Sequence, residues 1–120
     1  MWKPHAVYKR LGAICEQLPE VEMRPFGGHI APAWRVRDKI FCGTSQTDRP
    51  WMNVKGAPGA QQALVASDPE RFFVPKYVGP KGWVAVRLDG RPDRDEIAEL
   101  VEESYRLIAP KRLVARLDAR

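Results

Sequence analysis

Three basic residues, Arg35, Arg37 and Lys39, lie within five positions of one another and flank the predicted tip of a β-hairpin. Arginine binds a phosphate or a guanine edge through two hydrogen bonds, and lysine neutralises phosphate charge. Alternation along the strand puts both arginines on the face opposite its apolar residues. The pattern predicts a wing that contacts nucleic acid, with Arg24 and Lys55 as further basic residues at its rim.

A second basic cluster adjoins aromatic residues. Lys76 and Lys81 stand close to Tyr77 and Trp83 in a loop rich in glycine and proline. Such a combination can join charge neutralisation to stacking of bases on aromatic rings. Trp51 is a further candidate for stacking or for an interface. The competing interpretation of both clusters is a solvated outer face with aromatic residues that belong to the core.

The net charge of +5 hides a segregation of charge. Residues 93–103 contain six acids and one base, so this segment carries −5 and the remainder of the chain +10. A basic body with one acidic face is typical of a polyanion-binding protein. We interpret the acids as the solvated face of a helix rather than a catalytic or metal site, and we expect that face to point away from any nucleic acid.

Several other kinds of chemistry lack their residue patterns. His5, Cys15, His29 and Cys42 match no zinc-ligand spacing, and Cys42 has no neighbouring signature of a nucleophile. The phosphate-binding pattern GxxxxGK[ST] is absent. We therefore predict no metal, no cofactor and no catalysis. Without an apolar membrane span or an export signal, we expect two free thiols and a cytoplasmic location.

Hydrophobic periodicity predicts the order of the elements. Apolar residues recur at helical spacing over residues 5–18 and again from residue 93 to Pro110, with weaker helical patterns at 60–66 and in the tail after 111. Period-two patterns predict strands at 21–28, 33–37, 39–43, 51–55, 72–74 and 83–88. This order predicts one α+β domain over residues 1–120, a two-layer arrangement with an antiparallel sheet covered by helices on one face.

The order of several short motifs resembles the MmcQ/YjbR family of small bacterial proteins over roughly residues 5–108. The motifs are Leu18-Pro19-Glu20-Val21, Phe26-Gly27, Trp34-Arg35-Val36, Lys39-Ile40-Phe41, Trp83-Val84 and Glu102-Glu103-Ser104-Tyr105-Arg106-Leu107. The resemblance implies a curved antiparallel sheet likened to double-wing DNA-binding domains and to secretion-chaperone-like folds, and it implies DNA binding. Members often carry a lysine-histidine or similar polar pair where this chain has Pro80-Lys81, which leaves Lys81 and the backbone as donors there.

The predicted function is therefore DNA binding, mainly through phosphates, with weak sequence selectivity and steep salt dependence. An alternative is a protein-interaction or chaperone-like module, a possible homodimer, with Trp51, Phe72 and Phe73 as anchors, because interfaces favour aromatic residues. A third hypothesis is an enzyme or a binding protein for a small anion that uses the Lys76–Trp83 loop, although the sequence offers no general base for it.

Overall fold

The computed structural model describes residues 6–25, 31–45, 49–90 and 92–120. The helices are α1 (Ala6–Cys15), α2 (Ala60–Ser67), α3 (Arg94–Ile108) and α4 (Lys111–Asp118), with a 3₁₀ turn at Gly79–Lys81. The strands are β1 (Val21–Met23), β2 (Ala33–Val36), β3 (Lys39–Thr44), β4 (Trp51–Lys55), β5 (Phe72–Phe73) and β6 (Trp83–Arg87). Residues 26–28 of the predicted first strand, and both His5 and His29, lie outside the described residues.

The six strands form one antiparallel sheet in the order β1-β2-β3-β4-β6-β5. The α+β prediction is confirmed. β1 lies at one edge of the sheet and ends at Met23, before Pro25, which could not donate a hydrogen bond to a neighbouring strand. Each of the first three strands pairs with the next along the chain, so β1 to β4 form a simple meander.

One face of the sheet carries the core. Met52 and Val54 of β4 and Val84 and Val86 of β6 are at most 1% exposed, and they alternate with half-buried residues along β4. Helix α3 packs on β3 and β4 and also contacts α1, and Leu113 of α4 joins the same core. The other face of β4 and β6 is the open face, and it contains the candidate site.

Helix α3 begins as the sequence predicts. The Asp93 carboxylate accepts hydrogen bonds from the backbone N–H groups of Asp95, at 2.9 Å, and Glu96, at 3.4 Å. These contacts satisfy donors that have no partner within the helix. Ile97 and Val101 are buried, as their spacing predicts. Tyr105 is also fully buried, in addition to the apolar stripe that the spacing predicts.

Strand β3 contains a β-bulge at Phe41. Trp34 of β2 pairs with Cys42 and Arg35 pairs with Ile40, which leaves Phe41 as an extra residue. Strict alternation would place Phe41 and Cys42 on opposite faces, but both are fully buried. Phe41 packs edge to face on Tyr105, with 5.4 Å between ring centroids. The bulge therefore adds an aromatic residue to the core.

The bulge also leaves backbone groups that a side chain must satisfy. The Ser104 hydroxyl donates to the Phe41 carbonyl oxygen at 2.6 Å and accepts from the Lys55 N–H at 2.9 Å. Ser104 is fully buried, so water does not reach these groups. One hydroxyl of α3 thus bridges β3 and β4 just beyond Cys42 and Val54, where the pairing of these two strands ends.

The turn between β2 and β3 corrects one expectation about the wing. Arg37 is not part of β2. It is the first residue of a two-residue turn, in which Arg37 has φ 50° and Asp38 has φ 65°. Two successive positive φ angles are the geometry of a type I′ hairpin turn, for which Asn-Gly is the preferred sequence. Arginine and aspartate are therefore held in a costly backbone conformation.

Replacing the pair by Asn-Gly (Arg37→Asn/Asp38→Gly) should raise the free energy of unfolding by about 1 kcal/mol, because a left-handed conformation costs most residues about 1–2 kcal/mol. Loss of the exposed ion pairs Arg37–Glu20 and Arg24–Asp38 offsets only part of this gain. Urea denaturation measures the change. The matched control, Arg37→Ala/Asp38→Ala, removes the same ion pairs and should show no gain. Equal stabilities for the two variants would contradict the assignment of turn strain.

Candidate nucleic-acid interface

A row of small residues crosses the open face of the sheet. Ala33 pairs with Gly43, Gly43 with Asn53, and Asn53 with Ala85, so the four lie side by side on neighbouring strands. Larger side chains flank this row on both sides along β4 and β6, Trp51 and Arg87 on one side and Lys55 and Trp83 on the other. A row of small residues between large ones produces a trough because strand neighbours are only about 5 Å apart.

The trough is the floor of a groove of about 660 Å³. Trp51 and Trp83 line it from the sheet, and the segment Lys76–Val78 lines it from the loop after β5. The volume lies within the range of about 300–1,000 Å³ that is common for ligand sites. The second cluster predicted from the sequence is thus brought together at this groove, except for Lys81.

Tyr77 stands at the groove in an unusual backbone conformation. Tyr77 is 93% exposed, and its φ is 69°. The Val78 N–H donates to the Lys76 carbonyl oxygen at 2.7 Å, which closes a three-residue turn centred on Tyr77. A three-residue turn with positive φ at its centre resembles the classic γ-turn, which is rare and strained. The fold therefore holds a large aromatic ring in solvent at an energetic cost.

Hydrogen bonds fix the loop that carries this turn. The Gln61 side-chain nitrogen Nε2 donates to the carbonyl oxygens of Gly79, at 2.8 Å, and Trp83, at 2.6 Å. The Gly56 N–H donates to the Gly82 carbonyl oxygen at 3.1 Å. These bonds tie the loop to helix α2 and to the end of β4. The role of Gln61 is not predictable from the sequence, because a single polar residue in a weakly patterned helix does not indicate a long-range contact.

Basic residues surround the groove on the open face. Lys55 and Arg87 are neighbours of Trp83 and Trp51 in the β4–β6 pairing, and the exposed Lys76 lines the groove. The Arg87 guanidinium carbon lies 4.5 Å from the centroid of the Phe73 ring, a cation–π contact. No Asp or Glu is among the described residues that line this groove. The groove therefore combines positive charge with aromatic surface.

The hairpin residues are placed differently. Arg24 forms ion pairs with Glu22, at 2.9 Å, and with Asp38, at 2.6 Å, and Arg37 pairs with Glu20. Their positive charge is therefore partly compensated within the protein.

Two of the predicted wing residues have no such partner. Within the part of the chain that the structure describes, Arg35 and Lys39 form no ion pair. Arg35 pairs with Ile40 across the β2–β3 ladder, and Ile40 lines the groove. Lys39 pairs instead with Val36, which belongs to the core face. The wing thus continues the basic surface of the open face mainly through Arg35.

Lys81 lies apart from the groove. It is exposed in the 3₁₀ turn and borders a different cleft of about 520 Å³, together with Lys55 and the turn at residues 56–59. Lys55 therefore stands between the groove and this cleft. The structure brings Lys76, Tyr77, Trp83 and Trp51 to one groove and leaves Lys81 on its flank.

The aromatic residues expected to serve as protein-interaction anchors divide between the two faces. Phe72 pairs with Val86 and is 3% exposed, so it belongs to the core and its assignment as an exposed anchor is wrong. Phe73 and Trp51 are half-buried on the open face, where they pack edge to face with centroids 5.4 Å apart. In a two-residue strand, alternation alone could not decide which phenylalanine faces inward.

The acidic stripe lies on the helix side of the molecule. Asp95, Glu99 and Glu103 are exposed on α3, which covers the face of the sheet opposite the groove. Glu96 forms an ion pair with Arg71, and Glu102 pairs with Arg106 at 3.5 Å. The sheet therefore separates the acidic stripe of α3 from the groove.

The two cysteines offer no accessible thiol. Cys15 and Cys42 are free and fully buried. Burial raises the pKa of the Cys15 thiol far above its ordinary value, and the neighbouring Cys42 adds to the shift. A neutral, enclosed thiol is a poor nucleophile. No group of three His, Cys, Asp or Glu side chains within residues 6–25, 31–45, 49–90 and 92–120 is arranged to hold a metal ion.

The helices of the described ranges are also too short or too polar for a membrane span. What the fold and the groove define is a small α+β protein with a single antiparallel sheet, helices on one face and a basic, aromatic groove on the other.

Comparisons with known proteins assign this fold to a family. The family model YjbR matches residues 16–107, and the chain belongs to the YjbR family. The crystal structure of Deinococcus radiodurans protein DR2400, described with the domain DUF419, is similar at a TM-score of 0.77 and 21% sequence identity. That match covers 90% of this chain and 82% of the other. No curated protein sequence matches this one. The family resemblance inferred from the sequence motifs is confirmed.

Proposed function

We propose that this protein binds DNA, mainly through its phosphates and with weak sequence selectivity, using the open face of the sheet. The observation that carries the proposal is the combination at the groove: Lys55, Lys76 and Arg87 adjoin its aromatic rings, no described lining residue is acidic, and the acidic stripe of α3 lies on the other side of the sheet. A polyanion approaching the open face meets attraction there and avoids the repulsion of the helix side.

Lys55, Lys76 and Arg87 supply the central phosphate contacts in this proposal, and Arg35 extends them along the hairpin. Arg87 contacts the Phe73 ring through a cation–π interaction, and no ion pair with an acidic side chain engages it among the described residues. Arg24 and Arg37 contribute less, since binding through them must first break their ion pairs with Glu22, Asp38 and Glu20.

Fluorescence anisotropy of a labelled duplex at low salt tests the proposal. We expect a dissociation constant of about 10⁻⁴ to 10⁻⁶ M for the wild type. The variant Lys55→Gln/Lys76→Gln/Arg87→Gln should bind at least about tenfold more weakly, because each lost phosphate contact removes a counterion-release contribution.

The matched control removes the same charge from the helix side. Lys9, Arg10 and Lys111 are exposed on α1 and α4. Their triple glutamine variant should stay within about twofold of the wild type, because these residues lie off the proposed face. No binding by the wild type, or an equal loss in both variants, would overturn the proposal.

A protein-interaction role is the alternative that the half-buried Trp51 and Phe73 on the open face favour. Its signature is a molar mass that rises with protein concentration in light scattering and a partner affinity insensitive to the three open-face charges. The absence of catalysis and the cytoplasmic location stay predictions from the sequence.

A further inference from the structure

We infer that the groove on the open face takes unpaired bases, so that the preferred ligand is a single-stranded nucleic acid. This inference rests on the proposed function and adds to it the part of the ligand that is recognised. Phosphate contacts alone need only a basic surface, whereas this surface contains a groove with aromatic walls.

The groove has the shape that a flat ring requires. Ala33, Gly43 and Asn53 present small side chains at its floor, and Trp51 and Trp83 stand on its two sides. Every base has a π-face, so stacking on such rings is tolerant of sequence. The groove volume of about 660 Å³ is large enough to admit a ligand ring beside the side chains that line it. Aromatic walls above a flat floor fit a base better than they fit a phosphate.

The strained turn at Tyr77 points to the same ligand. A tyrosine at φ 69° and 93% exposure contributes little packing to the folded protein and costs backbone energy. The segment that holds it is nevertheless tied down through the two hydrogen bonds of Gln61. Placed at the mouth of the groove, the ring can close over a base that enters between the tryptophans.

A duplex cannot use this groove without opening. Paired bases are stacked inside the helix, and a base must leave the stack before it can enter a protein pocket. A single strand presents its bases without that cost, while its phosphates still reach Lys55 and Lys76 at the rim. DNA and RNA single strands share this chemistry, so both are tested.

Two substitutions remove the groove's function without harming the fold. At Gly43 an added Cβ would meet only the Ile40 side chain, at 3.9 Å, so Gly43→Val fits the strand and fills the floor. Tyr77→Gly removes the ring and relieves the positive φ. Neither variant should lower the midpoint of thermal unfolding, because valine suits a strand and glycine suits the turn.

The experiment measures anisotropy of labelled dT15, rU15 and a 15-base-pair duplex with the wild type and both variants. The wild type should bind at least one single strand more tightly than the duplex, with quenching of tryptophan fluorescence. Each variant should bind that strand at least fivefold more weakly and the duplex within twofold of the wild type. The tighter of dT15 and rU15 identifies which nucleic acid the groove prefers.

Val74→Ala is the matched control, since Val74 is 54% exposed in the same loop and does not line the groove. It should bind every probe as the wild type does. If the wild type binds the duplex and both groove variants keep the wild-type affinity for the single strand, the inference is overturned and the proposed function stands. A wild type that binds the duplex more tightly than either single strand would also overturn the inference and leave the proposed function standing. No binding to any probe would overturn both.

Discussion

Replacing Ser104 with alanine should lower the free energy of unfolding by about 2–4 kcal/mol. The hydroxyl is the hydrogen-bond partner of the Phe41 carbonyl and the Lys55 N–H, and all three groups lie in the buried seam between α3 and the sheet. Alanine leaves both backbone groups without a partner, and each buried, unsatisfied group costs about 1–3 kcal/mol. The small gain in helix propensity offsets little of this loss.

Urea denaturation followed by circular dichroism measures this change. The matched control is Ser67→Ala. The Ser67 hydroxyl donates to the carbonyl of Leu64 within its own helix, α2, and is exposed to water. That variant should lie within about 0.5 kcal/mol of the wild type, the usual range for surface substitutions. If both variants lost the same stability, the bridging role of Ser104 would be refuted.

The affinity for duplex DNA should fall about 100-fold when the salt concentration rises from 50 to 200 mM. Four basic residues, Arg35, Lys55, Lys76 and Arg87, face the proposed ligand on the open side. Each phosphate contact contributes about −0.9 to the slope of log K against log salt, which gives a slope of about −3.6 for four contacts. Titrations at four or more salt concentrations determine that slope.

The variant Lys55→Gln/Lys76→Gln/Arg87→Gln should reduce the slope to about −0.9, because one of the four contacts remains. The helix-side control with Lys9, Arg10 and Lys111 changed to glutamine should keep the wild-type slope. A slope near zero in the wild type would mean that phosphates are not the contacts, and an equal change in both variants would mean that net charge, rather than position, governs binding.

The sequence predicted most elements because their residues report local constraints. The cap at Asp93, the stop at Pro110 and the alternation in β4 each depend on near neighbours, and the structure confirms them. The bulge at Phe41 could not be predicted, because it depends on Tyr105 and Ser104, more than 60 residues away. Local alternation contains no information about a contact of that range.

The candidate site was predictable in part for the same reason. The basic and aromatic residue types predicted that Lys76, Tyr77 and Trp83 form one cluster, and all three line the groove. Its floor was not visible, since Gly43 and Asn53 become neighbours only through strand pairing. The reduced role of Arg37 depends on its contact with Glu20, which a position in the sequence does not reveal.

The bridge made by Ser104 also sets an order of assembly. The strands β1 to β4 pair with their neighbours along the chain, so they can meet early through short loops. The carbonyl of Phe41 and the N–H of Lys55 nevertheless gain their partner only when the Ser104 hydroxyl, 63 and 49 residues further along the chain, is in place. The hydrogen bonding of the meander is therefore complete only when α3 packs on it. In a chain that ends before this helix, the Phe41 carbonyl and the Lys55 N–H would lack the Ser104 hydroxyl as their partner.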